Sequence, residues 1–102
     1  MELFVILLRT GKNWVAGKPS REQPLWDAHA SFMDRLFDTG KILLGGPFTD
    51  GSGVLVIVRA ENEQEATTIF DTDPWVLEEM LVSGEVKKWQ MFLNGFERTA
   101  AT

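Results

Sequence analysis

Two rhythms of apolar residues run along the chain. Leu3 to Leu8 and Val54 to Val58 are short, unbroken apolar runs rich in β-branched and aromatic side chains, the pattern of strands covered on both faces. Between them the period changes. Leu25, Ala28, His29, Phe32, Met33, Leu36 and Phe37 recur three and four residues apart, which marks one face of a 3.6-residue helix. Ser20 and Gln23 resemble a capping box, and Pro24 suits a first helical turn. The helix is therefore predicted from Ser20–Pro24 to Asp38–Thr39, with Gly40 in the left-handed position beyond it. A polar loop, Thr10 to Pro19, leads into it.

Lys41–Gly46 reads as a second strand and Gly53–Arg59 as a third. The Asp50-Gly51 pair between them marks a tight reversal, hence a hairpin. Asn62 and Glu65 open a second helix that turns Ala66, Ile69 and Phe70 inward and stops near Asp71. Asp73 then caps a short helical segment with Pro74 at its first position, carrying Val76, Leu77, Met80 and Leu81. Glu85–Leu93 is the predicted fourth strand, with Trp89, Met91 and Leu93 on one face. A single domain over residues 1–96 and a frayed tail over 97–102 complete the reading.

The order β-α-β-β-α-β predicts an α+β fold of the ferredoxin-like type. Its four-stranded antiparallel sheet has the first and third strands in the middle and the helices on one face. Both faces of the central strands are apolar, yet the helices cover only one. A symmetric homodimer packed through the free sheet face is the expected cover. Which alternate set faces the helices stays open at this stage, and Val56 is one candidate for the dimer side.

Composition narrows the function classes. A net charge of −5 with no basic cluster argues against nucleic acid. The longest apolar run is too short to cross a bilayer, and it follows Glu2 rather than a basic segment, so neither a membrane span nor a signal peptide is expected. The absence of cysteine excludes disulfides and thiolate catalysis and fits a cytoplasmic setting. No metal site is expected from one histidine among scattered carboxylates, and no cofactor motif is visible.

His29 is the single histidine, and the helical stripe aims it at whatever the helix packs on. An imidazole placed there needs a hydrogen-bond partner. The best candidate is Asp73, in the run Asp71-Thr72-Asp73-Pro74-Trp75. Asp73 also fits a helix N-cap, and its two oxygens allow one to cap while the other accepts from His29.

Several of these features together resemble the YciI-like (YCII-related) family: the helix histidine, Gly40-Lys41-Ile42-Leu43-Leu44-Gly45-Gly46-Pro47-Phe48, the Asp50-Gly51 turn before Gly53-Val54-Leu55-Val56-Ile57, Glu65-Ala66 and Asp73-Pro74-Trp75. The resemblance extends from Leu3 to about Trp89. It implies the dimeric α+β barrel superfamily and a His-Asp pair in a cleft, at His29 and Asp73 here, acting in acid–base chemistry. A dehydrochlorinase of chlorinated aromatic breakdown is a relative in kind. The longer loop around Asn13, Trp14 and Trp26 departs from the family pattern. Asn13, Trp14 and His29 also superficially resemble the Asn, Trp and His set of cofactor-independent monooxygenases in the same superfamily.

The remaining candidates are secondary. Gly45, Gly46 and Pro47 leave a strand for a hairpin, which is no phosphate loop. Close backbone packing explains them, and Gly46 and Pro47 also fit the floor of a ligand site beside His29. Trp75 is either a packing residue or a cleft wall. Arg9, at the end of the first strand, is either a solvated charge or the cation that holds a substrate carboxylate. The expected function is a small-molecule enzyme using His29 and Asp73 for elimination or isomerisation. The alternatives are a ligand-binding or regulatory dimer and a purely structural one.

Overall fold

The first apolar run becomes β1 (Glu2–Thr10), and its side chains divide between two environments. Phe4, Ile6 and Leu8 are buried, whereas Leu3, Val5 and Leu7 are half-buried. In the computed structural model, which describes residues 1–100, a single 3₁₀ turn (Ser20–Glu22) and α1 (Trp26–Asp38) follow. Then come β2 (Ile42–Pro47), β3 (Gly53–Ala60), α2 (Glu63–Thr68), α3 (Pro74–Leu77) and β4 (Leu81–Trp89). The four strands form one antiparallel sheet in the order β2-β3-β1-β4. The two continuous apolar runs are its central strands, and the architecture is the predicted α+β, ferredoxin-like one.

Register explains the core. Phe4, Ile6 and Leu8 stand opposite Val58, Val56 and Val54, and α2, α3 and the turns after them add Ala66, Phe70, Trp75 and Met80 to the same core. Burying each large apolar side chain contributes about 1.5–3 kcal/mol, so this face dominates stability. Val56 is fully buried on the helix side, which corrects its assignment to the dimer side. The opposite set pairs Val5 with Ile57 and Leu7 with Leu55. Beside it, Leu44 and Trp89 are exposed.

Two element boundaries differ from prediction for local reasons. Helix α1 starts at Trp26 rather than within Ser20–Pro24, because Pro24 forces Gln23 into extended backbone (φ −72°, ψ 150°). Leu25 then caps the helix in the left-handed region (φ 63°). The Gln23 side chain forms no capping box and instead bonds to Val15 and Lys18. At its other end α1 closes as predicted: Gly40 has φ +82°, with Gly40 N–H on Phe37 O and Lys41 N–H on Leu36 O.

Strand β4 starts at Leu81, four residues before the predicted Glu85, and ends at Trp89. Glu79 adopts φ 54°, and Met80 N–H bonds back to Trp75 O at 2.8 Å. This ends the α3 turn early and sends Leu81 to pair with Thr10, so Leu81 is not helical. Met91 and Leu93 lie beyond the sheet. Leu93–Asn94 forms β5, which pairs with β6 (Thr99–Ala100) in a separate two-stranded sheet. Residues 101–102 of the predicted tail lie outside the described residues.

Candidate active site

Two local signals converge here from different elements. The α1 stripe carries His29 one turn into the helix, where its backbone N–H bonds to Leu25 O at 3.0 Å. Asp73 stands at the N-cap of α3, and its Oδ1 accepts from Trp75 N–H at 3.0 Å. Helices α1 and α3 bring the two side chains together across 44 residues. Asp73 Oδ1 lies 2.8 Å and Oδ2 3.0 Å from His29 Nδ1. Asp73 is completely buried and His29 nearly so. The carboxylate thus caps the helix and holds the imidazole at once.

A carboxylate only accepts hydrogen bonds, so the ring nitrogen facing it carries the proton. Neutral His29 is therefore the Nδ1–H tautomer, with the Nε2 lone pair free. Among the described residues Nε2 has no protein partner, and no buried polar side-chain atom lacks one, so Nε2 is open to the outside. Trp75 fixes the ring plane: the indole stacks on the imidazole, 3.8 Å between centroids and 8° from parallel. Its own N–H is anchored to Pro24 O at 2.8 Å.

His29 faces a cleft of about 470 Å³, with Trp26 and Trp75 beside it, Met33 and Phe37 farther along α1, and β2 as the far wall. Gly46 and Pro47 line it. Gly46 is not held by close packing, since a Cβ there would meet nothing within 4 Å. Gly45 is the tighter position: a Cβ there would lie 3.4 Å from Val56 Cγ1.

Arg9 is elsewhere. It follows Leu8, which is buried on the helix side, so strand alternation turns Arg9 to the other face, beside Gly53 and Val82. It is exposed and does not line the cleft. The monooxygenase-like set does not assemble either. Asn13 Nδ2 donates to Glu78 O, and Trp14 meets the edge of Trp75 at 5.2 Å between centroids. Trp26, read with the loop, is the first residue of α1 and a wall of the cleft. Sequence spacing also passed over Met33 and Phe37 as wall residues, although both stand on the same stripe as His29.

The model of the YCII-related domain matches residues 3–90. The chain belongs to the YCII-related family. This YCII-related chain is 30% identical over 67 residues to "Uncharacterized protein YjpA" of Bacillus subtilis (strain 168), a match spanning 62% of the chain and 73% of that relative. Among solved structures it is similar to the 5-chloro-2-hydroxyhydroquinone dehydrochlorinase TftG from Burkholderia phenoliruptrix AC1100, in complex with 2,5-dihydroxybenzoquinone. The TM-score is 0.59 at 24% identity, over 86% of this chain and 93% of that one. The likeness shows a shared α+β fold. Among the described residues no helix is long and apolar enough to cross a membrane.

Proposed function

We propose that this YCII-related protein is a small-molecule enzyme in which His29, oriented by Asp73, transfers a proton during an elimination or isomerisation. The observation that carries the reading is the asymmetry of the imidazole: Nδ1 is held by both Asp73 oxygens, while Nε2 is left free beside an apolar cleft. In an elimination, Nε2 takes a proton from a substrate carbon, the C–H electrons become a double bond, and the leaving group departs with its bonding pair. The imidazolium formed stays paired with Asp73 and returns its proton to solvent or to the leaving group. Such a step needs no cofactor. Positioned acid–base catalysis is worth about 10²–10⁴ in rate.

The similar dehydrochlorinase supports the class of chemistry and a flat, oxygenated ring as the type of substrate. Trp26 supplies a flat wall for such a ring, with Trp75 buried against the imidazole. The working unit is a homodimer joined through the face that carries Val5, Leu7, Leu55 and Ile57, which the helices leave uncovered. The test is turnover of chlorinated hydroxyquinols, hydroxylated unsaturated acids and lactones by the wild type and by His29→Asn. The wild type turns over at least one of them and the variant is slowed by about 10²-fold or more. Tight binding of these compounds without turnover would replace the enzyme with a ligand-binding module.

A further inference from the structure

A second cavity, of about 620 Å³, adjoins the first and shares Ser20, Pro47 and Val54 with it. Its walls differ in kind. The His29 end is mostly apolar, whereas the second cavity is edged by Thr10, Lys18, Ser20, Thr49 and Asp50. Among the described residues the lysine and arginine side chains lining the cavities are Lys18, at the second, and Arg21, at the first. They flank Ser20, where the cavities meet. Neither has a carboxylate within ion-pairing distance among the described residues, although the chain carries a net charge of −5. Among the described residues the Ser20 hydroxyl also makes no hydrogen bond.

Two acidic residues line the same space, Asp50 in the second cavity and Asp34 in the His29 cleft. Asp50 is already engaged: its Oδ1 accepts from Ser52 N–H at 2.9 Å, and hydrogen bonding from Ser52 holds its carboxyl below the usual carboxylate range. Asp34 belongs to α1, on the His29 side. The loop that carries Lys18 is also firmly built. Gln23, 4% exposed, receives Val15 N–H at 2.9 Å and donates to Val15 O and Lys18 O, both at 2.8 Å. A buried amide thus pins the backbone of Lys18, and a pre-ordered loop loses little entropy when a ligand binds.

We infer that the ligand has two parts: a flat ring at His29 and an arm ending in a carboxylate that is held at the cavity junction by Lys18, Arg21 and the Ser20 hydroxyl. The His29 cleft alone falls in the size range that encloses a drug-sized ligand, so a lone ring leaves the second cavity unused. The inference rests on the proposed function for the place of the ring, but it is read by binding rather than by turnover.

Three of the four tryptophans, Trp14, Trp26 and Trp75, line the two cavities, so quenching of intrinsic fluorescence reports occupancy. The probes are 3-(3,4-dihydroxyphenyl)propanoate, its neutral propanamide, and catechol. The propanoate binds about three- to tenfold tighter than the amide, as expected for partly exposed ion pairs, and about 0.5 M salt shrinks the gap. Lys18→Gln with Arg21→Gln removes the preference and leaves catechol affinity unchanged. Equal affinity for acid and amide, or a preference that survives the double variant, overturns the inference. Turnover by the wild type separates the two claims: a carboxylate preference in a wild type that turns over none of the candidate substrates sinks the proposed function alone, and turnover without that preference sinks this inference alone.

Discussion

The imidazole of His29 and the indole of Trp75 lie face to face, 3.8 Å between ring centroids and 8° from parallel. Trp75 also sends its backbone N–H to Asp73 and its indole N–H to Pro24 O. One buried residue thus fixes both the ring and the carboxylate that orients it. Trp75→Phe keeps a flat surface but leaves Pro24 O without its indole donor. A stability loss of about 1–3 kcal/mol is expected from denaturant melts, with a lower kcat and little change in KM if the ring merely loosens. Trp75→Ala, which also empties a core position, is expected to cost about 3–5 kcal/mol.

Asp73→Asn separates holding from orienting. The amide oxygen can still cap Trp75 N–H, so the fold survives. The amide NH₂ then donates to Nδ1, the ring proton moves to Nε2, and no lone pair faces the cleft. Turnover is expected to fall by about 10²–10⁴ with modest destabilisation. Asp73→Ala removes the cap and the buried partner together and is expected to cost about 3–5 kcal/mol. Equal stability of the Asn and Ala variants would contradict the double role.

The sheet offers a matched pair of substitutions. Leu7→Asp places a charge on the half-buried outer face and is expected to give folded monomers of 11.5 kDa in place of the dimer, by sedimentation equilibrium. Val56→Asp places the same charge among fully buried residues and is expected to unfold the chain. A wild type that sediments as a monomer would remove the dimer from the account.

The acid side of the stability profile has one traceable contributor. Lys41 Nζ lies 2.9 Å from Glu65 Oε1, and the hydrogen bond from Lys41, with that from Glu61 N–H, holds the Glu65 carboxyl below its ordinary value. A carboxyl depressed in the folded state stabilises above its unfolded pKa, and the contribution is lost as pH falls through the folded one. Lys41→Met is therefore expected to melt slightly lower than wild type at neutral pH, and the gap should close on acidification. A gap that stays constant down to strongly acid pH would assign it to packing.

The fold was legible because its strongest signals are local and periodic. The two apolar runs read as central strands and the stripe through His29 as a helix, and the structure has both. Boundaries failed where a residue adopts backbone its type rarely chooses. Leu25 and Glu79 both have positive φ, and neither advertises it as Gly40 does. Gln23 looked like half of a cap because its real partners, Val15 and Lys18, are a matter of loop geometry. The site divided the same way. His29 on its stripe and Asp73 at its cap were each visible locally, whereas Arg9 was misplaced by one step of strand alternation. Lys18 and Arg21 went unnoticed because they border a helix whose start was set too early.

The orientation of one proton carries the whole account. Nitrogen-15 NMR of the imidazole reads it directly, and with a single histidine the signals need no assignment. In the neutral ring the account predicts a protonated Nδ1 and an unprotonated Nε2, and loss of that state in Asp73→Asn. A neutral His29 that carries its proton on Nε2 in the wild type would leave no base facing the cleft and would contradict it.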